Sequence, residues 1–410
     1  MNQLVVKRAS KRLASLVLSI VLALALLIPG MGAAPLYASG SGTEADPWHI
    51  RNAQQLSNIR EHLDGHYVLD RDIDLSGVVS WKPIGAYQMS LSSMGKEDDD
   101  ASTSFTGSLD GNGHTIRNLS INDTELIGGG LFGFVKEGGA IRDLTLENCN
   151  IRGLAFAGCL AGMVDGDSLL ENITLKGDNN VSGVMYLGGV TGAAEDSLLK
   201  NVTAQANITM RGIPVFSQAA GIVCGGAEGS NFEDCHAVGG TIRVYGSESS
   251  GAVGSVAGCA TDAKYVKNCS AENVTILVKK CSLVGGLLGH AGCIDGCTDL
   301  AKRTEISGCR VENVVIKADD QSGRIGMLLG SGYYRRLFRS QVAEPTAFHV
   351  SNCSVSGVIT GGKELIGSVA GYAGRNSTVD TTTAQVLING SLVNPMIGAT
   401  VETVPYKNFK

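Results

Sequence analysis

The sequence predicts an all-β chain, a right-handed parallel β-helix (solenoid) of about nine coils with a short helical N-terminal cap. Three observations carry this. A five-residue element, glycine, any, aliphatic, any, glycine, returns at GGLFG (129–133), GCLAG (158–162), GGVTG (188–192), GSVAG (254–258), GGLLG (285–289), GMLLG (326–330) and GSVAG (367–371). A degenerate copy, AGIVCG, runs from Ala220 to Gly225. A second unit, aliphatic-x-Asn-aliphatic-x-aliphatic, precedes most of them. Finally, 55 glycines and 5% aromatics in 410 residues do not suit an ordinary globular core, and the absence of a three-residue glycine period excludes collagen.

The first element is a leader. Lys7, Arg8, Lys11 and Arg12 precede an apolar run from Leu13 to Ile28, and Pro29, Gly30, Gly32, Ala33 and Ala34 follow. That is the layout of a secretory signal peptide cleaved between Ala34 and Ala38, so residues 1–38 stand outside the fold. The alternative is an uncleaved anchor, for which the run is short. No later apolar run reaches spanning length, so no stable membrane insertion is expected after cleavage. Without the four leader cations, 29 Lys+Arg face 39 Asp+Glu, a net charge of −10. No basic stripe suits a nucleic-acid backbone. The expected setting is secreted or cell-surface.

Residues 39–125 read as the N-terminal cap and first coils. The helical period is confined to Ala53–Leu63, and Asp72-Ile73-Asp74-Leu75 reads as an early coil. Residues 126–375 are the repeat region, and 376–410 form the last coil or C-terminal cap that a solenoid end requires.

Within the repeat, the second unit reads Ile116…Ile121, Ile141…Leu146, Leu170…Leu175, Leu199…Ala204, Phe232…Ala237, Val266…Ala271, Ile306…Val311 and Val350…Val355, at 25- to 44-residue spacing. Its third position is Asn118, Asp143, Asn172, Asn201, Asp234, Asn268, Gly308 and Asn352. The alternation of a strand breaks there and then resumes, as it would at a corner. Asn, Asp and Gly tolerate the left-handed backbone of such a corner, and stacked Asn side chains form hydrogen-bonded ladders. The glycines of the five-residue element are expected to supply bend conformations and close approach between coils, with the central aliphatic pointing inward.

These residues resemble the GLUG-motif proteins of bacterial surfaces. The leading segments "GTEADPWHIRNAQQLSNI" (42–59), "YVLDRDIDLSG" (67–77), "WKPIG" (81–85) and "FTGSLDGNGHTIRNLSI" (105–121) strengthen the resemblance, which covers roughly residues 42–375. It implies a right-handed β-helix similar to pectin lyases, an extracellular setting and often no known activity. No HExxH and no sorting motif accompanies it here.

Candidate sites are few. Cys235, Cys269, Cys309 and Cys353 share the fourth position of the unit and read as a buried thiol ladder rather than a disulfide framework. His290, Cys293 and Cys297 in "GHAGCIDGCTD" are a weak metal candidate, three ligands on a loop where zinc needs about four. His62 and His66 read as surface residues, and Glu97-Asp98-Asp99-Asp100 as a solvated loop. No cofactor motif is present: a nucleotide GxGxxG needs a strand, a helix and an acidic residue beyond. Glu272 and Glu312 fall in one column on adjacent coils, but two carboxylates alone are not a catalytic pair, and no catalytic residue is assigned.

The five-residue element spacing lengthens to 41 at two successive coils, so His290–Arg303 and Ser331–Ala347 are expected to project side by side from one corner. The second carries Tyr333, Tyr334, Arg335, Arg336, Phe338 and Arg339, aromatic faces and cations suited to an extracellular glycan or a host surface protein. A loop that packs its aromatics on the flank is the alternative. The expected function is a secreted, non-catalytic surface protein for adhesion. The competing reading is a carbohydrate-active enzyme, a polysaccharide lyase or glycoside hydrolase, on the same scaffold.

Overall fold

Asn172 shows how successive repeats are held. Its backbone is left-handed (φ 56°), as are those of Asp143 (53°), Asn201 (49°), Asp234 (52°), Asn268 (54°), Gly308 (65°) and Asn352 (52°). Strand register puts these residues in a single file, each over the next. The Asn172 amide donates to Asp143 Oδ1 at 2.7 Å, and the Asn201 amide donates to Asn172 Oδ1 at 2.7 Å. Side chains that accept a left-handed corner thus also tie one corner to the next.

The computed structural model describes residues 35–86, 103–212, 218–246, 251–293, 295, 298–335, 343–392 and 395–400. It is all-β, built on three long parallel sheets of 21, eight and nine strands. Each strand pairs with its equivalent one repeat later, giving a solenoid-like stack. In one repeat the chain runs through Ala140–Glu147, Asn150–Arg152, Ala155–Ala157 and Ala161–Val164. The first two strands join the 21-stranded sheet, and the last two enter the eight- and nine-stranded sheets.

Inward positions form apolar columns. Ile151, Val181, Ile208, Ile242, Ile276, Ile316, Ile359 and Ile388 stack in register. All are buried in one continuous cluster, each contributing roughly 1.5–3 kcal/mol. The central aliphatics of the five-residue element, among them Leu131, Leu160, Val190, Val256, Leu287, Leu328 and Val369, are fully buried, as expected. The cysteine column is also as expected. Cys235, Cys269, Cys309 and Cys353 are buried free thiols. The Sγ of Cys269 donates to Lys267 O at 3.2 Å and that of Cys353 to Ser351 O at 3.2 Å.

The N-terminal cap is short. The α-helix Ala53–Ser57 starts at Asn52, whose side chain accepts from Gln55 N–H, and continues as the 3-10 helix Asn58–Glu61. Leu56 and Ile59 are buried against the first coil, beside a Tyr37–Trp48 ring stack at 4.6 Å.

Two expectations are corrected. The unit at 116–121 does not stack on 141–146. Ile116 pairs with Leu146 and Ile121 with Ile151, while Leu109 is the partner of Ile141. Several repeats have a second left-handed corner, at Asn118 (φ 62°), Asn148 (56°), Asn273 (57°) and Asn313 (54°), and Asn118 belongs with Asn148. Nor do the glycines of the five-residue element supply unusual φ values. None of Gly285, Gly289, Gly326 or Gly330 is left-handed. What they supply is room: a Cβ on Gly285 would overlap the carbonyl of Leu288, and one on Gly289 the backbone of Val253 and Gly258.

Candidate functional site

On the solvent side of the Asn file runs an open groove with two hollows. The first, about 370 Å³, is lined by Asp110, Asn112, Asp143, Thr145, Asn172 and Thr174 among others. The second, about 390 Å³, is lined by Thr203, His236, Asn268, Ser270, Glu272 and Arg310 among others. Both follow from the β-alternation after the corner. Residues two beyond each corner face outward, giving one file: Thr115, Thr145, Thr174, Thr203, His236, Ser270, Arg310. Four threonine hydroxyls therefore recur at the coil spacing, about 4.8 Å. Further along, His236 Nδ1 meets Ser270 Oγ at 2.9 Å.

The outward file just before the corner alternates in charge: Asp110, Arg142, Glu171, Lys200, Glu233, Lys267. Arg142 Nε donates to Asp110 at 3.1 Å, and Lys200 Nζ lies 3.3 Å from Glu171. This wall of the groove is highly charged yet nearly neutral along its length. On the opposite wall Glu272 stacks on Glu312, as expected from the sequence, and Glu312 is ion-paired with Arg310.

The two excursions leave adjacent coils, as expected, and the structure adds that they are joined at their base. Cys293 N–H donates to Ala347 O at 3.0 Å, and Ala347 N–H to Cys293 O at 2.9 Å. Arg303, closing the first excursion, donates to Asn376 O at 3.1 Å and Thr378 Oγ1 at 3.3 Å. In the second, Tyr333–Arg335 pairs antiparallel with Ala343–Pro345. Arg336, Phe338 and Arg339 lie outside the described residues, as do Glu97–Asp100 and residues 1–34. Residues 35–38, expected to belong to the leader, are described, and Tyr37 is buried with its hydroxyl donating to Asn58 O at 2.8 Å, so the fold begins before residue 39.

The metal candidate is corrected. His290 is not on a loop: it sits in the strand Leu288–Gly292, fully buried, with Nδ1 2.9 Å from Ser331 O. Burial, against that hydrogen bond, pushes its pKa down to about 3, which keeps the ring neutral. Cys293 is half-buried beyond the strand end, and Cys297 lies outside the described residues. Among the described residues no group of three His, Cys, Asp or Glu is arranged to hold a metal ion. Burial also pushes the Cys281 thiol up to about 12, as expected of an inert packing cysteine.

Sequence reasoning missed a second apolar cluster on the outer side of the sharp glycine turn. It contains Ile127, Phe134, Phe156, Met163, Met185 and Tyr186. Phe156 (φ 50°) and Tyr186 (φ 45°) are left-handed, and their rings stack at 5.2 Å and 5°. Each such backbone costs roughly 1–2 kcal/mol, which burial of a large ring offsets. The available signal was the aromatic residue two positions before the first glycine of GCLAG and GGVTG.

No family model matches the chain. Residues of this chain are 34% identical to halomucin of Haloquadratum walsbyi over 175 residues, 41% of this chain. They are 31% identical, over 156 residues and 36% of this chain, to a protein of Evansella cellulosilytica provisionally described as a Gly-rich membrane protein. The matched stretches span only 2% and 16% of those relatives. A solved structure from Bacteroides ovatus, provisionally described as an immunoglobulin A1 protease, overlaps 87% of this chain and 88% of its own, with a TM-score of 0.47 and 19% identity. That likeness bears on neither activity nor substrate. Among the described residues no helix is long and apolar enough to cross a membrane.

Proposed function

We propose that the chain is a right-handed parallel β-helix of about nine coils, of the GLUG-motif kind, that works as a secreted, surface-associated, non-catalytic adhesion protein. Its partner is an extracellular glycan or a host surface protein. The observation that carries the reading is the open groove, whose hydroxyl and amide files repeat at one coil spacing and so match a ligand that is itself extended and repetitive. The joined base of the two excursions supports a second contact surface beside it. Glu312 is already paired with Arg310, which accords with a charge-balanced scaffold surface. The names of the two relatives, a halomucin and a Gly-rich membrane protein, accord with a surface setting.

The test is a glycan and mucin array with the chain from residue 35 onward. Binding that weakens in Thr145→Ala/Thr174→Ala/Thr203→Ala supports the groove. Binding lost in Tyr334→Ala/Arg335→Ala/Arg336→Ala instead places the contact on the second excursion. The enzyme alternative predicts product release from a polysaccharide panel with or without calcium, and such release would overturn the non-catalytic reading.

A further inference from the structure

A different face of the same sheet carries an unbalanced row of cations. Beyond the second corner, outward positions fall into two files. One reads Arg152, Ser182, Thr209, Arg243, Leu277, Lys317. The other reads Arg211, Tyr245, Lys279. The intervening residues Ile208, Met210, Ile242, Val244, Ile276 and Val278 are buried, so the strand alternation fixes the cations outward. Arg152, Arg211, Arg243, Lys279 and Lys317 are exposed. Among the described residues none of the five is in an ion pair, unlike Arg142, Lys200 and Arg310 near the groove. Asp319, next in the Tyr245–Lys279 file, spends its carboxylate on Lys280 N–H and the Ser322 hydroxyl. Tyr245 is 46% exposed, with Lys279 Nζ 6.0 Å from its ring centroid.

We propose that this face binds a linear polyanionic glycan carrying sulfate groups. Five coil steps separate Arg152 from Lys317, so the row extends about 24 Å. Charges spread along such a line suit an anion repeated along a chain rather than a single compact one. Arg152, Arg211 and Arg243 offer forked donors that match sulfate and carboxylate oxygens. The exposed ring of Tyr245 offers an apolar face to a sugar ring. The remainder of the chain is net negative, so this row stands out against an acidic background. No short sequence window shows it, because each strand contributes only one or two cations. The site is separate from the groove, and either can fail without the other.

The experiment is surface plasmon resonance of the chain from residue 35 on immobilised heparin, fully desulfated heparin and a DNA duplex of equal length. Expected is binding to heparin that weakens with salt and is at least about tenfold weaker on the desulfated polymer and on DNA. Arg211→Gln/Arg243→Gln/Lys279→Gln should weaken heparin binding roughly tenfold or more, while Arg71→Gln/Lys82→Gln, exposed cations near the N-terminal cap, leaves it unchanged. Unchanged thermal unfolding of both variants assigns the loss to the surface. No heparin binding, or equal binding by the triple variant, overturns the proposal. Equal binding to DNA overturns the glycan assignment.

Discussion

Gly289→Ala separates the two reasons a sequence can have for glycine. Gly289 is not left-handed, so an alanine there meets no conformational penalty. Its Cβ would overlap Val253 N and Gly258 O and lie 2.8 Å from Val253 O. These are backbone atoms of the neighbouring coil, held by the parallel ladder, and cannot rotate aside. Overpacking costs about 1–3 kcal/mol, and a rigid obstacle places this case at the upper end, near 3 kcal/mol. Gly138 is the control: it is left-handed (φ 82°), and a Cβ there meets nothing within 4 Å. Alanine at Gly138 should cost only its conformational penalty, about 1–2 kcal/mol. Guanidinium unfolding of both variants reads the difference, and hydrogen exchange in Leu288–Gly292 locates it. If Gly289→Ala stays within about 0.5 kcal/mol of the parent, or costs less than Gly138→Ala, the argument from space is wrong.

Three further outcomes follow from the same geometry. Asn172→Gly keeps the left-handed corner and loses only the ladder bonds, about 1 kcal/mol, whereas Asn172→Ala loses both and should cost about 2–3 kcal/mol in the same unfolding assay. Glu171→Lys inserts a cation between Arg142 and Lys200, so that three like charges follow one another along the wall, and should lower stability by about 1 kcal/mol at low salt and less at high salt; adding Lys200→Glu should leave the loss in place, because it sets two acids side by side at 200 and Glu233. His290, neutral in the fold with a pKa near 3, makes the folded chain lose stability as pH falls from about 6.5 towards 3, because the unfolded ring takes up a proton that the buried one refuses. His290→Gln should flatten that limb of a thermal stability profile, and an unchanged profile would remove His290 as its source.

Much of the scaffold was legible because stacking turns sequence repetition into spatial files. The Asn corner, the buried aliphatics, the thiol column and the Glu272–Glu312 adjacency all needed only alignment of the copies. The slip at 116–121 arose because a second corner in several repeats uses the same residue type, and local pattern cannot tell Asn118's corner from Asp143's. The glycines misled for a related reason: sequence shows that glycine is required, but only coordinates separate torsion from crowding. His290 could not be placed, since a strand end and a loop start look alike beside Gly292. The alternating wall of the groove was in principle readable, as Asp110 to Lys267 stand just before successive corners. The cations of the opposite face were not, because they become neighbours only once coils stack.

The register between Leu169 and Leu198 has a consequence for how such chains change. Excising residues 169–197 would bring Leu198 down onto Ala140, where Leu169 now rests, and each remaining layer would meet a neighbour of the same shape. Length is therefore a free variable, adjustable in units of one turn by duplication or loss without inventing new packing. Selection can tune the length of the stack separately from what its faces carry.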